Sequence, residues 1–414
     1  MKKTLAIATL AVTAAAFTAP AAEAHVAAPT WVTANSVSTG DQDAPSVAIN
    51  RNGYVAVAWE DDRDTDNATD NVHSEIYLRL FRNGTAAYEI KLSAGGSSGV
   101  TNWRHLHPDV GLDDNGNAVV VWQDDPDGNG YYNIPYRVVN TAGTVTASGN
   151  ANSSSTGQQI NPRVAVDPDG APSGAAVAFT VVWEDIQTGT PATVKAAGYT
   201  GPTTRAWEVT ASQTTGQHHN PDVAVSASGD AVVVWDEDGD ANGDYNIGLI
   251  RLGRTNGAAT LSRRVANSNT TGQQIHASAA ANFNGDFAVA WESGTAGVWT
   301  RSFSSTGTAR YADVQAAAAG TAPSIGIDDA TQTVVGWTVQ AADLDVWIRG
   351  FGTNGTDTDR LSSQQLSSAT AGRQEQMVVA VSPYAEVAVA YTDDNDGNTY
   401  DQVILGTGIS NNSW

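Results

Sequence analysis

The sequence predicts an all-β chain built from seven copies of one unit, and three observations predict it. The first is internal repetition: "HPDVGLDDNGNAVVVWQDD" from His107 and "NPDVAVSASGDAVVVWDED" from Asn220 share Pro-x-Val, a polar turn with glycine, an apolar run ending in tryptophan, and then acid. The second is the spacing of that aromatic residue. It falls at Trp59, Trp122, Trp183, Trp235, Trp291, Trp337 and Tyr391, at intervals of 63, 61, 52, 56, 46 and 54 residues. The third is local pattern: Val-rich alternating runs bounded by Gly, Asn and Asp are strand signals, and no segment has a convincing helical period. Units of this length, each with four short strands, predict a seven-bladed β-propeller.

Within the second copy the expected strands are Asp109–Asp113, Asn117–Gln123, Asn133–Val139 and Thr144–Gly149. The seventh copy ends after its third strand, "QVILGTG". The missing strand is found at the other end of the chain. "WVTANSVSTGDQDAP" from Trp31 aligns with "WEVTASQTTGQHHNP" from Trp207, which is the fourth strand and exit loop of another copy. An N-terminal strand that completes the last blade closes the ring and leaves few free edges.

Ahead of that strand, Lys2 and Lys3, the apolar run to Phe17 and Ala22-Glu23-Ala24 have the layout of a secretory leader. The expected organisation is a signal peptide over residues 1–24 and one propeller domain over 25–414, secreted, with no membrane span. The chain carries a net charge of −23. Loss of the leader removes two lysines and one glutamate and leaves −24. That balance excludes the basic footprint of a nucleic-acid binder. It suits solubility or bound cations. Cysteine is absent, so stability must come from a large core and not from disulfides.

"VVVWQDDPDGNGYYNIPYRV" and "VAVAWEDDRDTDNATDNVHSEIYLRLF" resemble a blade repeat of secreted bacterial propellers, in which Trp-acid-Asp precedes a polar hairpin and an arginine-bearing third strand. The resemblance spans nearly the whole chain after the leader. A looser similarity links these hairpins to the Asp-box hairpins of sialidase propellers, although the Ser-x-Asp-x-Gly-x-Thr-Trp order is not found.

The hairpins after each tryptophan are candidate metal loops. Alternate oxygen ligands in a tight loop suit calcium. The spacing Asp-x-Asp-x-Asn-Gly-x-x-Asn occurs at Asp125, Asp127, Asn129 and Asn133, and again at Asp238, Asp240, Asn242 and Asn246. The first copy offers Asp62, Asp64, Asp66 and Asp70. These loops resemble the calcium loops of integrin-type propellers, which implies Ca2+ as a cofactor. The same residues are also the ordinary occupants of hairpin turns. The recurrent acid two residues beyond the aromatic (Asp61, Asp124, Asp185, Glu237, Asp393) is expected to be structural, meeting the third-strand arginines Arg79, Arg137 and Arg251.

A second repeated feature precedes each first strand: "TGQQINP", "TGQHHNP" and "TGQQIHA". Such interblade loops are expected on one face near the axis. They would ring the channel mouth with Gln158, Gln217, Gln273, His105, His107, His218, His219 and His276, with Trp103 nearby as a stacking platform. Amides and imidazoles offer donors and acceptors to a polar ligand. The competing reading is that each loop caps its own blade.

No nucleophile elbow, phosphate loop or zinc motif is present. The expected function is therefore a secreted, non-catalytic, lectin-like binding protein for a glycan, polar small molecule or surface protein. The alternative is a secreted polysaccharide hydrolase or lyase of sialidase-like architecture. Repeated contacts in several blades would favour multivalent binding, and one asymmetric cluster would favour catalysis.

Overall fold

A computed structural model describes residues 29–63, 73–94, 103–170, 177–294, 296–340, 344–356, 361–366, 372–394 and 400–410. The expected leader falls outside them. The described residues form 28 strands and no helix, arranged in seven four-stranded antiparallel sheets. No helix is long and apolar enough to cross a membrane. The expected seven-bladed propeller is what the chain adopts.

The inner strands are Gln42–Ile49, Arg104–Leu112, Gln158–Val166, Gln217–Val225, Gln274–Ala281, Thr321–Ile327 and Gln374–Val381. The last blade is completed as expected by Thr30–Thr33, which pairs antiparallel with Gln402–Ser410 (Trp31 opposite Gly406). Glycine is required there, because a Cβ on Gly406 would stand 2.3 Å from the Trp31 ring.

The core lies between blades. Trp122, Val120 and Val110 of the second blade pack on Ala56, Ala58 and Leu78 of the first. Trp235 and Val233 of the fourth pack on Val182, Val194 and Ala196 of the third. All six repeat tryptophans are at most 2 % exposed, so each anchors one interface; truncating a buried aromatic of this size costs about 3–5 kcal/mol.

The third-strand arginines do not meet the repeat acids. Strand register sets Arg79 opposite Val57, while Asp61 lies opposite Glu75 at the far end of the strand. Arg79 instead donates to the Ala34 carbonyl of the preceding blade at 2.7 Å. Arg301 and Arg349 likewise reach Ala266 and Ala316 at 2.9 and 3.0 Å. Arg137 donates to the Tyr136 carbonyl, and Arg251 lies 3.7 Å from Asp230. Arg251 also donates to the Ser305 carbonyl of the next blade, so in four blades these arginines are clips between neighbours.

A correction to strand bounds has functional weight. The inner strand of the second blade begins at Arg104, not Asp109, so the supposed interblade loop is largely strand. Each inner strand contains a register shift, and the residue there has left-handed φ: Ala44, His107, Asn161, Asn220, His276, Ala322 and Gln376, all between 46° and 56°. This is a β-bulge repeated in every blade.

Deleting residues through Thr33 leaves the Gln402–Ser410 edge unpaired. The expected outcome is a lower melting temperature and concentration-dependent aggregation, read by calorimetry and light scattering. An unchanged melt would show that the ring holds without its clasp.

Candidate functional site: the mouth of the axial channel

The bulge splits each inner strand into two halves with different duties. In the half before it, one side chain points into the blade: Gln42, His105, Gln159, His218, Gln274 and Gln374 are all at most 2 % exposed. Each lies opposite the residue two beyond the aromatic, as in Gln42 opposite Asp61 and His218 opposite Glu237. That acid accepts the indole N–H: Trp59 to Asp61 at 2.7 Å, Trp122 to Asp124 at 3.1 Å, and Trp235 to Glu237. It also meets the buried amide or imidazole: Gln159 donates to Asp185 at 3.2 Å, Gln374 to Asp393 at 2.9 Å, and His105 bonds to Asp124. Where the fifth blade has Ser293 in place of the acid, Trp291 donates directly to Gln274 at 3.0 Å. His105 and His218 therefore occupy a glutamine position of the blade core, not the channel mouth.

Gln158, Gln217 and Gln273 are also turned away from the channel. Each latches the hairpin of the preceding blade: Gln158 accepts Tyr132 N–H at 3.2 Å, Gln217 accepts Ala192 N–H at 3.2 Å, and Gln273 donates to the Gly243 carbonyl at 2.7 Å. Trp103 is flanked by His73 and His105, with ring centroids at 5.0 and 4.9 Å. These glutamines serve the fold, but they latch the preceding blade and not, as the capping reading expected, their own. The Thr-Gly step preceding them is required by close approach, since a Cβ on Gly216 (φ 79°) would lie 1.8 Å from the Asp238 carbonyl oxygen.

The bulge residues are the ones that reach the axis. All seven line a cavity of about 730 Å³ enclosed by the seven inner strands. Beneath them Pro45, Pro108, Pro221 and Pro323 form an apolar collar. At the far end Arg51 is bound to Asp114 at 2.9 Å and lies over the Phe283 ring of the fifth blade at 4.3 Å, across a smaller cavity of about 140 Å³. That contact narrows the far end, so the larger cavity is a well entered from the bulge side.

The residue directly after the aromatic braces the mouth. Glu60, Gln123, Glu184 and Glu292 accept the backbone N–H of the next blade's bulge residue (His107, Asn161, Asn220 and Ala322) at 2.7, 2.9, 3.4 and 2.6 Å. On this frame a polar arc runs through the second to fifth blades. His107 Nδ1 lies 3.3 Å from Asn161 Oδ1, and Asn161 donates to Glu184 at 3.3 Å. Glu184 holds His219 at 2.7 Å, Asn220 donates to Asp236 at 2.8 Å, and Glu292 holds His276 at 2.8 Å. The Tyr245 ring stands 6.0 Å from His219. The remaining mouth positions, Ala44, Ala322 and Gln376, carry no ionisable group.

Of the histidines expected here, His107 and His276 line the well and His219 borders it. Sequence reasoning missed Asn161, Asn220, Glu60, Glu184, Asp236 and Glu292. Their signal was present as the residue before Pro-x-Val and the residue directly after each tryptophan.

Proton affinities at the mouth diverge. Burial pushes Glu60 up to about 8 and Asp236 up to about 6. Hydrogen bonds to Glu292 and Glu184 raise His276 and His219, while burial and the nearby Arg163 lower His107. Raised carboxyls and raised imidazoles both mean that the native state holds more protons than the unfolded chain from the ordinary carboxylate range up to about pH 8. Stability should therefore fall as pH rises through that window. Melting temperatures across it test this, and a maximum at its alkaline end would contradict it.

The acidic hairpins make Asx turns. Asp125 accepts Asn129 and Gly130 N–H at 3.0 and 2.8 Å, and Asn129 Nδ2 donates to Asp127 at 2.9 Å. Asp238, Asp240 and Asn242 repeat this with Asn242 N–H at 3.0 Å and Nδ2 at 3.0 Å. The ninth-position oxygens point elsewhere: Asn133 accepts from Asn152 at 2.8 Å and Asn246 from Asn267 at 2.9 Å. Asp62 is buried, and Asp64, Asp66 and Asp70 lie outside the described residues. Among the described residues no group of three acidic or histidine side chains is placed to hold a metal. The donors of each turn are satisfied by the turn itself, so no step of the chemistry is assigned to calcium.

No family model matches the chain, and no curated protein matches its sequence. Solved structures do resemble it. A protein of unknown function from Dyadobacter fermentans has a TM-score of 0.50 at 12 % identity, covering 91 % of this chain and 97 % of its own. A sialidase from Streptococcus pneumoniae has a TM-score of 0.48 at 8 % identity, covering 92 % of this chain and 71 % of its own. An α-L-arabinanase from Penicillium chrysogenum has a TM-score of 0.48 at 14 % identity, covering 79 % of this chain and 99 % of its own. At such identities the likeness is one of fold alone.

Replacing His218 with Gln should leave stability nearly unchanged, because Gln serves that position in four other blades. Replacing it with Leu leaves Glu237 without its imidazole partner, which lies 3.4 Å away, and should cost about 1–3 kcal/mol. Urea unfolding of the two variants checks both.

Proposed function

We propose that the protein is a secreted binding protein that takes one polar ligand, a glycan end or similar polyol, in the axial well. The chemistry of the polar arc from His107 to Glu292 supports this reading, while its asymmetry, the mark set for catalysis above, supports the second reading below. It places neutral amides, carboxylates and imidazoles above an apolar proline collar, which matches the mixed hydroxyl and C–H surface of a sugar. Because all seven bulges face one axis, the geometry favours a single ligand per ring over multivalent binding.

The test is a glycan array probed with the purified chain, followed by titration of any binder into His276→Ala and Asn220→Ala. Each substitution should weaken binding roughly tenfold to a hundredfold, the loss of one hydrogen bond to a charged or fully desolvated partner. A binder indifferent to both would place its site elsewhere.

Polysaccharide hydrolysis or cleavage is the second reading, and Glu60 favours it. A carboxyl that burial keeps protonated to about pH 8, at the same mouth as the carboxylates bound to His219 and His276, is the kind of divergence that acid–base chemistry uses. Release of reducing ends or unsaturated products from a polysaccharide, lost in Glu60→Gln, would replace binding by catalysis. A calcium-dependent rise in melting temperature, lost in Asp125→Ala plus Asp238→Ala, would add calcium to the reading by mass action. No shift would leave the hairpins as turns.

A further inference from the structure

Two blades depart from the construction of the others inside the well, the seventh with Val378 and the third with a cationic side chain. Two residues after the bulge residue the first six blades carry Ser46, Asp109, Arg163, Asp222, Ser278 and Ser324. Five of these serve the next blade by accepting a backbone N–H: Ser46 from Val110 at 3.1 Å, Asp109 from Val164 at 2.7 Å, Asp222 from Ala279 at 2.8 Å, Ser278 from Ile325 at 3.3 Å and Ser324 from Val379 at 2.9 Å. Arginine has no acceptor, so Arg163 cannot serve Val223. That N–H is taken by its neighbour Asp222 at 2.9 Å. The third blade therefore gives up an interblade hydrogen bond to place a guanidinium in the well.

This guanidinium is largely uncommitted. Its hydrogen bond is from Nη1 to the Pro162 carbonyl at 2.9 Å, and among the described residues no carboxylate oxygen comes within 4.0 Å of it. It is the sole Lys or Arg lining the cavity among the described residues. Asp109 and Asp222 flank it electrostatically. Both already accept backbone amides, and Asp109 also accepts Ser46 Oγ at 2.6 Å. Burial raises both carboxyls, and Arg163 lowers both.

We propose that Arg163 recognises an anionic group of the ligand, so that the well takes an acidic sugar whose carboxylate enters first. The inference rests on the axial-binding reading and narrows its ligand class. A planar guanidinium with free donors suits a carboxylate through paired hydrogen bonds, stronger than neutral ones.

The experiment titrates D-glucuronate, D-glucose and acetate into the wild-type chain, Arg163→Ser and Arg163→Lys. Serine restores the residue that three other blades use, so Arg163→Ser should melt at or above the wild-type temperature. Glucuronate should bind the wild type about tenfold or more tightly than glucose. That preference should vanish in Arg163→Ser and shrink in Arg163→Lys. Equal affinity for glucuronate and glucose, or a preference that survives Arg163→Ser, overturns the inference. So does Arg163-dependent binding of acetate as tight as that of glucuronate, which would mark a simple anion site, and so does the absence of Arg163-dependent binding of either carboxylate. The axial reading falls separately, if a glycan binder ignores both His276→Ala and Asn220→Ala.

Discussion

A buried indole needs an acceptor, and the way this chain supplies one organises the rest of the molecule. The acceptor is an acid two residues along the same strand, so the tryptophan and its partner share one face of the sheet. A carboxylate in that position needs further donors, and the inner strand provides them through a buried glutamine or histidine. The full three-membered contact forms in the second and fourth blades, partial forms of it tie the inner strand to the second strand elsewhere, and the sixth blade has Val339 in place of the acid. The departures follow the same rule: the fifth blade, with serine in place of the acid, lets its glutamine take the indole directly.

The bulge converts that structural contact into a site. An extra residue in the inner strand turns one side chain out of the blade and toward the axis, at the cost of a left-handed backbone angle. Asparagine tolerates that angle best, and it stands there in two blades, but histidine, glutamine and alanine are held there as well. A side chain from the neighbouring blade accepts the bulge N–H in several copies, which helps to hold the angle. Two neighbouring roles thus share a residue step: the residue after tryptophan braces the ring, while the bulge residue it braces faces the axial cavity.

Asymmetry enters only where the repeat allows it. Core positions repeat because every blade solves the same packing problem. The bulge is freer, since its side chain meets the channel, and the position two residues beyond it is freed in the third blade, where Arg163 makes no such bond to the next blade. There the chain has gathered imidazoles, amides and carboxylates in the second to fifth blades and left alanine in the first and sixth. Arg163 sits within the same arc.

The sequence alone determined the architecture, because period and hydrophobic alternation are local properties that survive in one dimension. Blade number, the aromatic core and the closing N-terminal strand were all legible from the spacing of Trp59 to Tyr391 and the match of Trp31 to Trp207. The histidines were legible as a group, but not their directions. Whether His218 or His219 faces the channel turns on alternation within a strand and on a bulge one residue farther on. Local propensity marks neither, since adjacent residues of identical type point to opposite faces. Only the assembled ring decided that His218 belongs to the core and His219 to the mouth. It also decided which carboxylates meet them, because those partners come from neighbouring strands and blades brought together by closure.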